Sequence, residues 1–311
     1  MKLSIIVPIY NIEQYLFRCI ESISNAICGD VEVLLVDDGS TDLSSKIAKD
    51  YASRNERFLY YKKDNGGLSD ARNYGINNAT GDYIWFVDGD DYIPPNSVSI
   101  IQKACLSNPE CDLLCFSAKK MVNDNCSIIK YSAIGKIDGP TFLKYQYLHK
   151  TMHPEVWHNI FKKELVLNHG CFFKKGIYHE DEEWTPKIFS LSSCVFYSDE
   201  CIYCYDIRPN SIMTSNQYLK RMNDLYNMAK YYSEYEIKNK KLVTDRIISL
   251  FLSVFGQSCN PTLYKKSKGD YCFFVKNVFF LKTKIKVIIF CISKKMFFKI
   301  CKINTRRNRC A

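Results

Sequence analysis

The chain has 311 residues, of which 47% are hydrophobic and nine are proline, and it carries a net charge of +10. That is enough apolar residue for a large core in one or two domains, and it excludes a disordered or fibrous chain. No run of ~18 apolar residues is present to cross a bilayer, and the first apolar run, Leu3 to Tyr10, is too short for a secretory signal and contains Pro8.

The charge is unevenly placed. Residues 262–311 hold 14 Lys and Arg against one acid, Asp270, so that stretch carries +13 and residues 1–261 carry −3. Fifteen cysteines without a small-domain framework read as reduced thiols in a cytosol. Cys201 and Cys204 form the only CxxC. They sit in a strand-like stretch where residues three apart face opposite ways, which argues against a zinc pair.

In chain order, Leu3 to Ile9 reads as a buried strand that breaks near Pro8. Ile12, Tyr15, Leu16, Cys19, Ile20 and Ile23 then recur at helical spacing. Val31 to Val36 is a second strand, ending in Asp37 and Asp38. Ser40 or Thr41 is placed to cap a helix running to about Glu56. Phe58 to Tyr61 is a third strand, Asn65-Gly66-Gly67 a turn, and Leu68 to Asn78 a helix carrying Asp70 and Arg72.

The fourth strand is Tyr83-Ile-Trp-Phe-Val87, and it stops at Asp88-Gly89-Asp90-Asp91. An acidic turn at a strand end is the plain alternative to a site. The carboxylates equally suit a hard divalent ion, which takes oxygen ligands and pairs with phosphates. Strands alternating with helices imply βαβ units and a mostly parallel sheet. Ligands then bind beyond the carboxyl ends of the strands, where strand order reverses. That rule gathers Pro8 to Tyr10, Asp37-Asp38 and Asp88 to Asp91 on one edge. Neither GxxxxGK[ST] nor GxGxxG occurs, so metal and side chains must hold any phosphate.

Pro94-Pro95 opens a helix to about Ser107, and Cys111 to Ser117 is a strand. Residues 119–139 read as an irregular polar excursion. A helix follows over 162–168. Glu180 to Glu183 stand between His179 and Trp184. They suit either a helix start, where acids favour the dipole, or a carboxylate placed as a general base. Residues 194–205 are strand-like, and 216–258 read as two helices.

Four segments together resemble the signature of family 2 glycosyltransferases of the GT-A fold. They are Ser4-Ile-Ile-Val-Pro-Ile-Tyr-Asn11, Val36-Asp-Asp-Gly-Ser-Thr-Asp42, Asn65-Gly-Gly-Leu-Ser-Asp-Ala-Arg-Asn73 and Phe86-Val-Asp-Gly-Asp-Asp91. Trp157 to Phe161, His179-Glu-Asp181 and Arg208 to Ser211 extend the likeness to about residue 213. The resemblance implies an α/β GT-A domain over 1–215, a Rossmann-like, mostly parallel sheet flanked by helices. A helical extension over 216–261 and a basic amphipathic tail over 262–311 would follow.

It also implies inverting transfer from a nucleotide-diphosphate sugar, usually a UDP-sugar, with Mn2+ or Mg2+. The acceptor would be a hydroxyl of a glycan or lipid-linked acceptor in surface polysaccharide synthesis. By motif, Pro8, Tyr10 and Asp38 would border the nucleobase, Arg72 the uridine or diphosphate, and Asp88 the ribose. Asp90 would hold the metal, with Asp91 as alternate ligand. Asp181, rather than Glu180, would be the base. Asp206 departs from the pattern, which often has Arg there. A non-catalytic nucleotide-sugar binder or membrane-docked assembly subunit is the reading from another class. A nucleotidyltransferase would need a basic Gly-rich loop after the first strand, which Asn11 to Gln14 does not supply.

In the tail, Val278, Leu281, Ile285, Ile289, Ile292, Met296, Ile300 and Ile303 form one apolar stripe on a single helix. Lysines flank it, and Arg306, Arg307 and Arg309 follow. The plain alternative is a helix packed on the catalytic domain with a solvated lysine face. A helix lying on an anionic membrane surface is the favoured expectation, which would make the protein cytoplasmic and peripheral on the inner face of the cell membrane. Nucleic acid is not an expected partner, because no binding fold accompanies the basic residues.

Overall fold

The structure is a computed structural model and describes residues 1–122, 125–206, 217–258, 260, 268–294, 296–299 and 301. The chain divides into two compact units. One is Met1–Gly176 with Glu180–Arg208; the other is Ile177–His179 with Pro209–Ala311.

The first unit is built on an eight-stranded sheet. β1 (Leu3–Ile9), β2 (Val31–Asp37), β3 (Phe58–Lys62) and β4 (Tyr83–Phe86) run parallel in the order β3-β2-β1-β4. α1 (Glu13–Ala26), α2 (Ser44–Ala52) and α3 (Leu68–Asn78) connect them. Every residue of β1, β2 and β4 is buried, as a parallel sheet covered on both faces requires. α1 buries Leu16, Cys19, Ile20, Ile23 and Ala26, the helical spacing read from its sequence.

β1 continues through Pro8 to Ile9 instead of breaking at the proline. The carbonyl of Ile9 accepts from Asp38 on the β2 side, and that of Ile6 accepts from Val87 on the β4 side. Pro8 therefore faces the β4 side, where β4 has already ended at Phe86. Its missing N–H leaves no acceptor unpaired there.

Beyond β4 the sheet is mixed. β7 (Asn159–Lys162) pairs antiparallel with β4 and with β5 (Leu113–Val122). β8 (Val195–Asp206) runs parallel to β5. The first part of the 119–139 stretch is not irregular: β5 extends to Val122 and pairs antiparallel with β6 (Asn125–Ile129), while residues 130–138 form no helix or strand, as expected. This hairpin arm is mostly exposed, so it lacks the apolar alternation that marks a half-buried strand. α4 (Ser97–Ser107) follows β4. α5 (Gly139–His149) starts at Asp138, whose carboxylate accepts from the Thr141 amide at 3.1 Å, with Pro140 in the first turn. α6 (Lys163–His169) and α7 (Glu180–Leu191) complete the unit.

Ser40 and Thr41 do not cap α2, which starts at Ser44 and ends at Ala52. Their polar groups lace the loop after β2 to the loop after β1. Ser40 Oγ accepts from the Asn11 amide at 3.2 Å, and the Thr41 amide donates to Asn11 Oδ1 at 2.9 Å.

The second unit contains α8 (Tyr218–Glu234), α9 (Lys240–Ser258), α10 (Lys268–Asn277) and α11 (Leu281–Ile292). Phe251 and Phe255 of α9, Phe274 of α10 and Phe290 of α11 form its aromatic core. The tail is not one continuous helix. Asp245 of α9 accepts from the amides of Phe279 and Phe280 and from the Thr283 hydroxyl, at 2.8, 2.9 and 3.0 Å. It thereby starts α11 afresh at Leu281. Ile300, Ile303, Lys302 and the three terminal arginines lie outside the described residues, as does the Arg208 to Ser211 stretch. Among the described residues no helix is long and apolar enough to cross a membrane.

Candidate active site

β1, β2 and β4 are parallel, so their carboxyl ends share one edge. The connection leaves β1 towards β2 on one side, and β4 lies on the other. Strand order reverses there, and the crevice forms at such a point.

At the end of β2 the two aspartates do different work. Asp37 is fully buried and accepts from the Ser40 amide and the Tyr60 hydroxyl at 2.8 Å each, and from the Ser45 hydroxyl. Burial raises its proton affinity, but these hydrogen bonds outweigh it and hold the carboxyl below its ordinary value. Asp38 accepts from the Gly66 and Gly67 amides at 3.0 and 2.7 Å, and from Lys63 Nζ at 2.5 Å. Its backbone carbonyl accepts from Asn65 at 3.0 Å. Three of its roughly four lone-pair positions are thus taken, and they order the Asn65-Gly66-Gly67 turn. Pro8 is buried, while Tyr10 beside it is 49% exposed.

At the end of β4, Asp88 and Asp90 are half-buried and Asp91 is buried. Gly89 packs closely between them, so a Cβ there would push the tip of the Ile12 side chain aside. Asp91 accepts from the Tyr203 hydroxyl at 2.6 Å and from the Asp206 amide at 2.9 Å, one bond on each oxygen. Tyr203 in turn accepts from the Asp88 amide at 3.1 Å. Burial, then the charges of Asp90 and Asp88, push the Asp91 carboxyl up to about 8. Asp91 is therefore a brace that ties the acidic turn to β8. Asp88 and Asp90 are partly exposed at this turn, and their oxygen donors suit a hard ion such as Mg2+ or Mn2+.

Asp206 is accounted for. It pairs with Arg18 of α1 at 2.8 Å, and Arg18 also donates to the Asp90 carbonyl at 2.9 Å and lies over the Tyr92 ring. The negative charge at this position has its own cation on the neighbouring helix.

Arg72 connects the two acidic segments. Its guanidinium is buried over the Phe86 and Phe173 rings, 2.9 Å from Asp88 and 2.9 Å from Glu180. Burial opposes its charge, but Asp88 and Glu180 more than restore it, so its pKa is raised. Glu180 is thus committed to an ion pair. Asp181 next to it is half-buried, and one oxygen accepts from the Glu182 amide at 2.8 Å. Burial, then the charges of Glu180, Glu182 and Glu155, hold the Asp181 carboxyl well above the ordinary range. Two adjacent carboxylates thus have different surroundings, one paired with a guanidinium and one not. His179 enters α7 in a left-handed conformation with φ 61°.

The structure brings Asp88, Arg72, Glu180 and Asp181 into one linked group. Pro8, Tyr10 and Asp38 lie at neighbouring strand ends. Sequence reasoning missed Tyr203, Arg18 and Lys63. Tyr203 had one signal: a tyrosine in a buried strand needs a partner for its hydroxyl.

The family model described as "Glycosyl transferase family 2" matches residues 4–173. EpsJ of Bacillus subtilis (strain 168), described as an uncharacterized glycosyltransferase, is 34% identical over 214 residues, 67% of this chain and 62% of that protein. GgaB of the same organism, a minor teichoic acid biosynthesis protein, is 48% identical over 93 residues, 29% of this chain and 10% of that protein. The chain thus spans less than two thirds of the length of either relative. The crystal structure of S. aureus TarS 1-349 in complex with UDP-GlcNAc shares its fold, with a TM-score of 0.70 at 18% identity over 99% of this chain and 92% of that one. The architecture is that of the GT-A fold, and the chain belongs to glycosyl transferase family 2.

Proposed function

We propose that the chain transfers a sugar, with inversion, from a UDP-sugar to a hydroxyl of a glycan or lipid-linked acceptor in cell-surface polymer synthesis. The observation that carries this is the linked group Asp88–Arg72–Glu180 with Asp181 beside it, set at the switch point of the sheet. Uridine as the base is supported by the UDP-GlcNAc complex of TarS, and a surface polymer by the kinship with GgaB.

In this reading Tyr10, with Pro8 behind it, borders the base, and Asp38 fixes the turn that lines it. Asp88 meets the ribose, and Arg72 sets Asp88 and Glu180 in place beside the diphosphate. Asp90 would hold Mn2+ or Mg2+, and Asp91 braces the turn that carries Asp90. The ion, when bound, acts as a Lewis acid towards the charge that develops on the leaving diphosphate. Asp181 takes the proton of the acceptor hydroxyl as it attacks the anomeric carbon, and its raised proton affinity suits a general base. A single displacement from the face opposite the diphosphate inverts that carbon, so no covalent intermediate on the chain is required.

The second unit supplies membrane docking in this account. α11 buries Thr283, Val287 and Phe290 and leaves Leu281 and Ile292 73% and 74% exposed, with Ile285, Ile288 and Met296 also exposed. Lys282 and Lys284 are exposed on the same helix, and Lys276 just before it. Apolar side chains ringed by lysines are complementary to an anionic lipid surface. Such a surface on the cytoplasmic side is where a lipid-linked acceptor would be met.

A panel of nucleotide sugars incubated with the full chain, Mn2+ and a lipid-linked acceptor, with UDP release as the readout, tests the proposal. Release from one UDP-sugar, and a product of opposite anomeric configuration, is expected. Release only from GDP- or TDP-sugars, or a retained configuration, contradicts it.

A further inference from the structure

Residues 152–158 join α5 to β7 and contain His153, Glu155 and His158. Each offers one ligand atom, and the three atoms lie within 4.8 Å of one another. His158 is fully buried, and its Nδ1 lies 2.9 Å from the Phe116 carbonyl oxygen. A carbonyl only accepts, so Nδ1 carries the proton and Nε2 the lone pair. That Nε2 is buried and has no hydrogen-bond partner. Buried acceptors are rarely left unsatisfied, because they lose water and gain nothing in return.

The segment is held rigidly. The His153 carbonyl accepts from Tyr131 at 2.8 Å, the Pro154 carbonyl from Thr185 at 2.6 Å, and the Trp157 carbonyl from Trp85 at 2.9 Å. Pro154 fixes the backbone between His153 and Glu155. His153 and Glu155 are half-exposed, so an ion has a way in from solvent.

We propose that His153, Glu155 and His158 form a site for a borderline transition-metal ion of the Zn2+ class, separate from the carboxylate site at Asp90. Two imidazoles and one carboxylate are a donor set that suits zinc, whereas Mg2+ and Ca2+ prefer oxygen alone. The Phe116 carbonyl does what second ligands' partners do in such sites. It fixes the tautomer and the ring orientation of the ligating histidine.

Co2+ is the probe. The full chain titrated with Co2+ should take up one equivalent with the visible absorption of four- or five-coordinate cobalt, and Zn2+ should displace it. His153→Ala and Glu155→Gln change half-exposed side chains, so both variants should fold, as circular dichroism would check. Each should weaken Co2+ and Zn2+ binding at least ~10-fold. Cys111→Ser should leave the band unchanged; it controls for Glu110, Cys111 and Cys194, the other such group among the described residues. No band in the parent chain overturns the proposal. So does a band that survives Glu155→Gln, or one that disappears in Cys111→Ser. If His153→Ala fails to fold, Glu155→Gln decides alone.

Discussion

Asp88 and Glu180 share one buried guanidinium: Arg72 lies 2.9 Å from each. Asp88 ends the fourth strand and Glu180 opens the seventh helix, so a single side chain from α3 fixes the spacing of two distant acidic segments. The pair also gives Glu180 and Asp181 different surroundings, because the guanidinium engages Glu180 while Asp181 accepts from the Glu182 amide.

Arg72→Ala should destabilise the fold and weaken nucleotide binding together. Removing one partner of a buried ion pair leaves uncompensated charge, which costs about 3–5 kcal/mol. Arg72→Lys keeps the charge but lacks the planar fork that spans both carboxylates, so it should recover only part of the loss. Urea denaturation of the parent and both variants checks this. Equal stability of all three would show that the bridge contributes nothing.

Asp181→Asn should lower kcat by about 10²–10⁴-fold and leave donor affinity nearly unchanged, since a base acts in the transition state. The parent's turnover should rise with pH along a limb above the usual carboxylate range, because the base must be deprotonated and its pKa is raised. The sign for stability is opposite. A carboxyl raised in the folded state favours folding at low pH, and that contribution is lost as pH rises through the folded pKa. Asp181→Asn should therefore be more stable than the parent at pH 8. Near-normal turnover in the variant would remove Asp181 from the reaction.

Glu32 is a structural counterpart. Its carboxylate accepts from Ser4, from the Thr80 amide and from the Thr80 hydroxyl at 2.6 Å each, and pairs with Lys2 at 2.9 Å. Burial raises its pKa, but these bonds win and lower it to about 2. The contribution is present above the unfolded pKa and is lost as pH falls from about 4.5 towards 2. Glu32→Gln should cost about 2–3 kcal/mol at pH 7 and much less near pH 2. Denaturation midpoints at the two pH values would show the gap closing; a constant gap would contradict the assignment.

Much of the fold was legible because the parallel strands are continuous apolar runs and α1 keeps a clean helical period. The site was legible as far as acids at strand ends go, since β1, β2 and β4 point the same way. Pairings were not. Arg18 with Asp206, Tyr203 with Asp91 and Lys63 with Asp38 join residues whose proximity only the sheet order creates. The hairpin of β5 and β6 was hidden because both faces of its arm meet solvent. The tail misled because its apolar residues fit one long helix, whereas Asp245 caps a new helix at Leu281.

Leu281→Ser with Ile292→Ser should lower recovery of the full chain with anionic vesicles in a flotation assay, and leave folding intact because both side chains are exposed. Each basic residue near an anionic surface contributes about 1 kcal/mol, so recovery should also fall with salt. Equal recovery of parent and variant, or equal recovery with neutral vesicles, would remove membrane docking from the account.

A metal-dependent nucleotide site at Asp90, with Asp181 in the first turn of α7, is what the proposed transfer requires. Calorimetric titration of UDP with and without Mn2+ tests it most directly, in the parent, Asp90→Ala and Asp181→Asn chains. Mn2+-dependent UDP binding, abolished in Asp90→Ala and retained in Asp181→Asn, is expected. UDP affinity independent of Mn2+, or unchanged in Asp90→Ala, would contradict it.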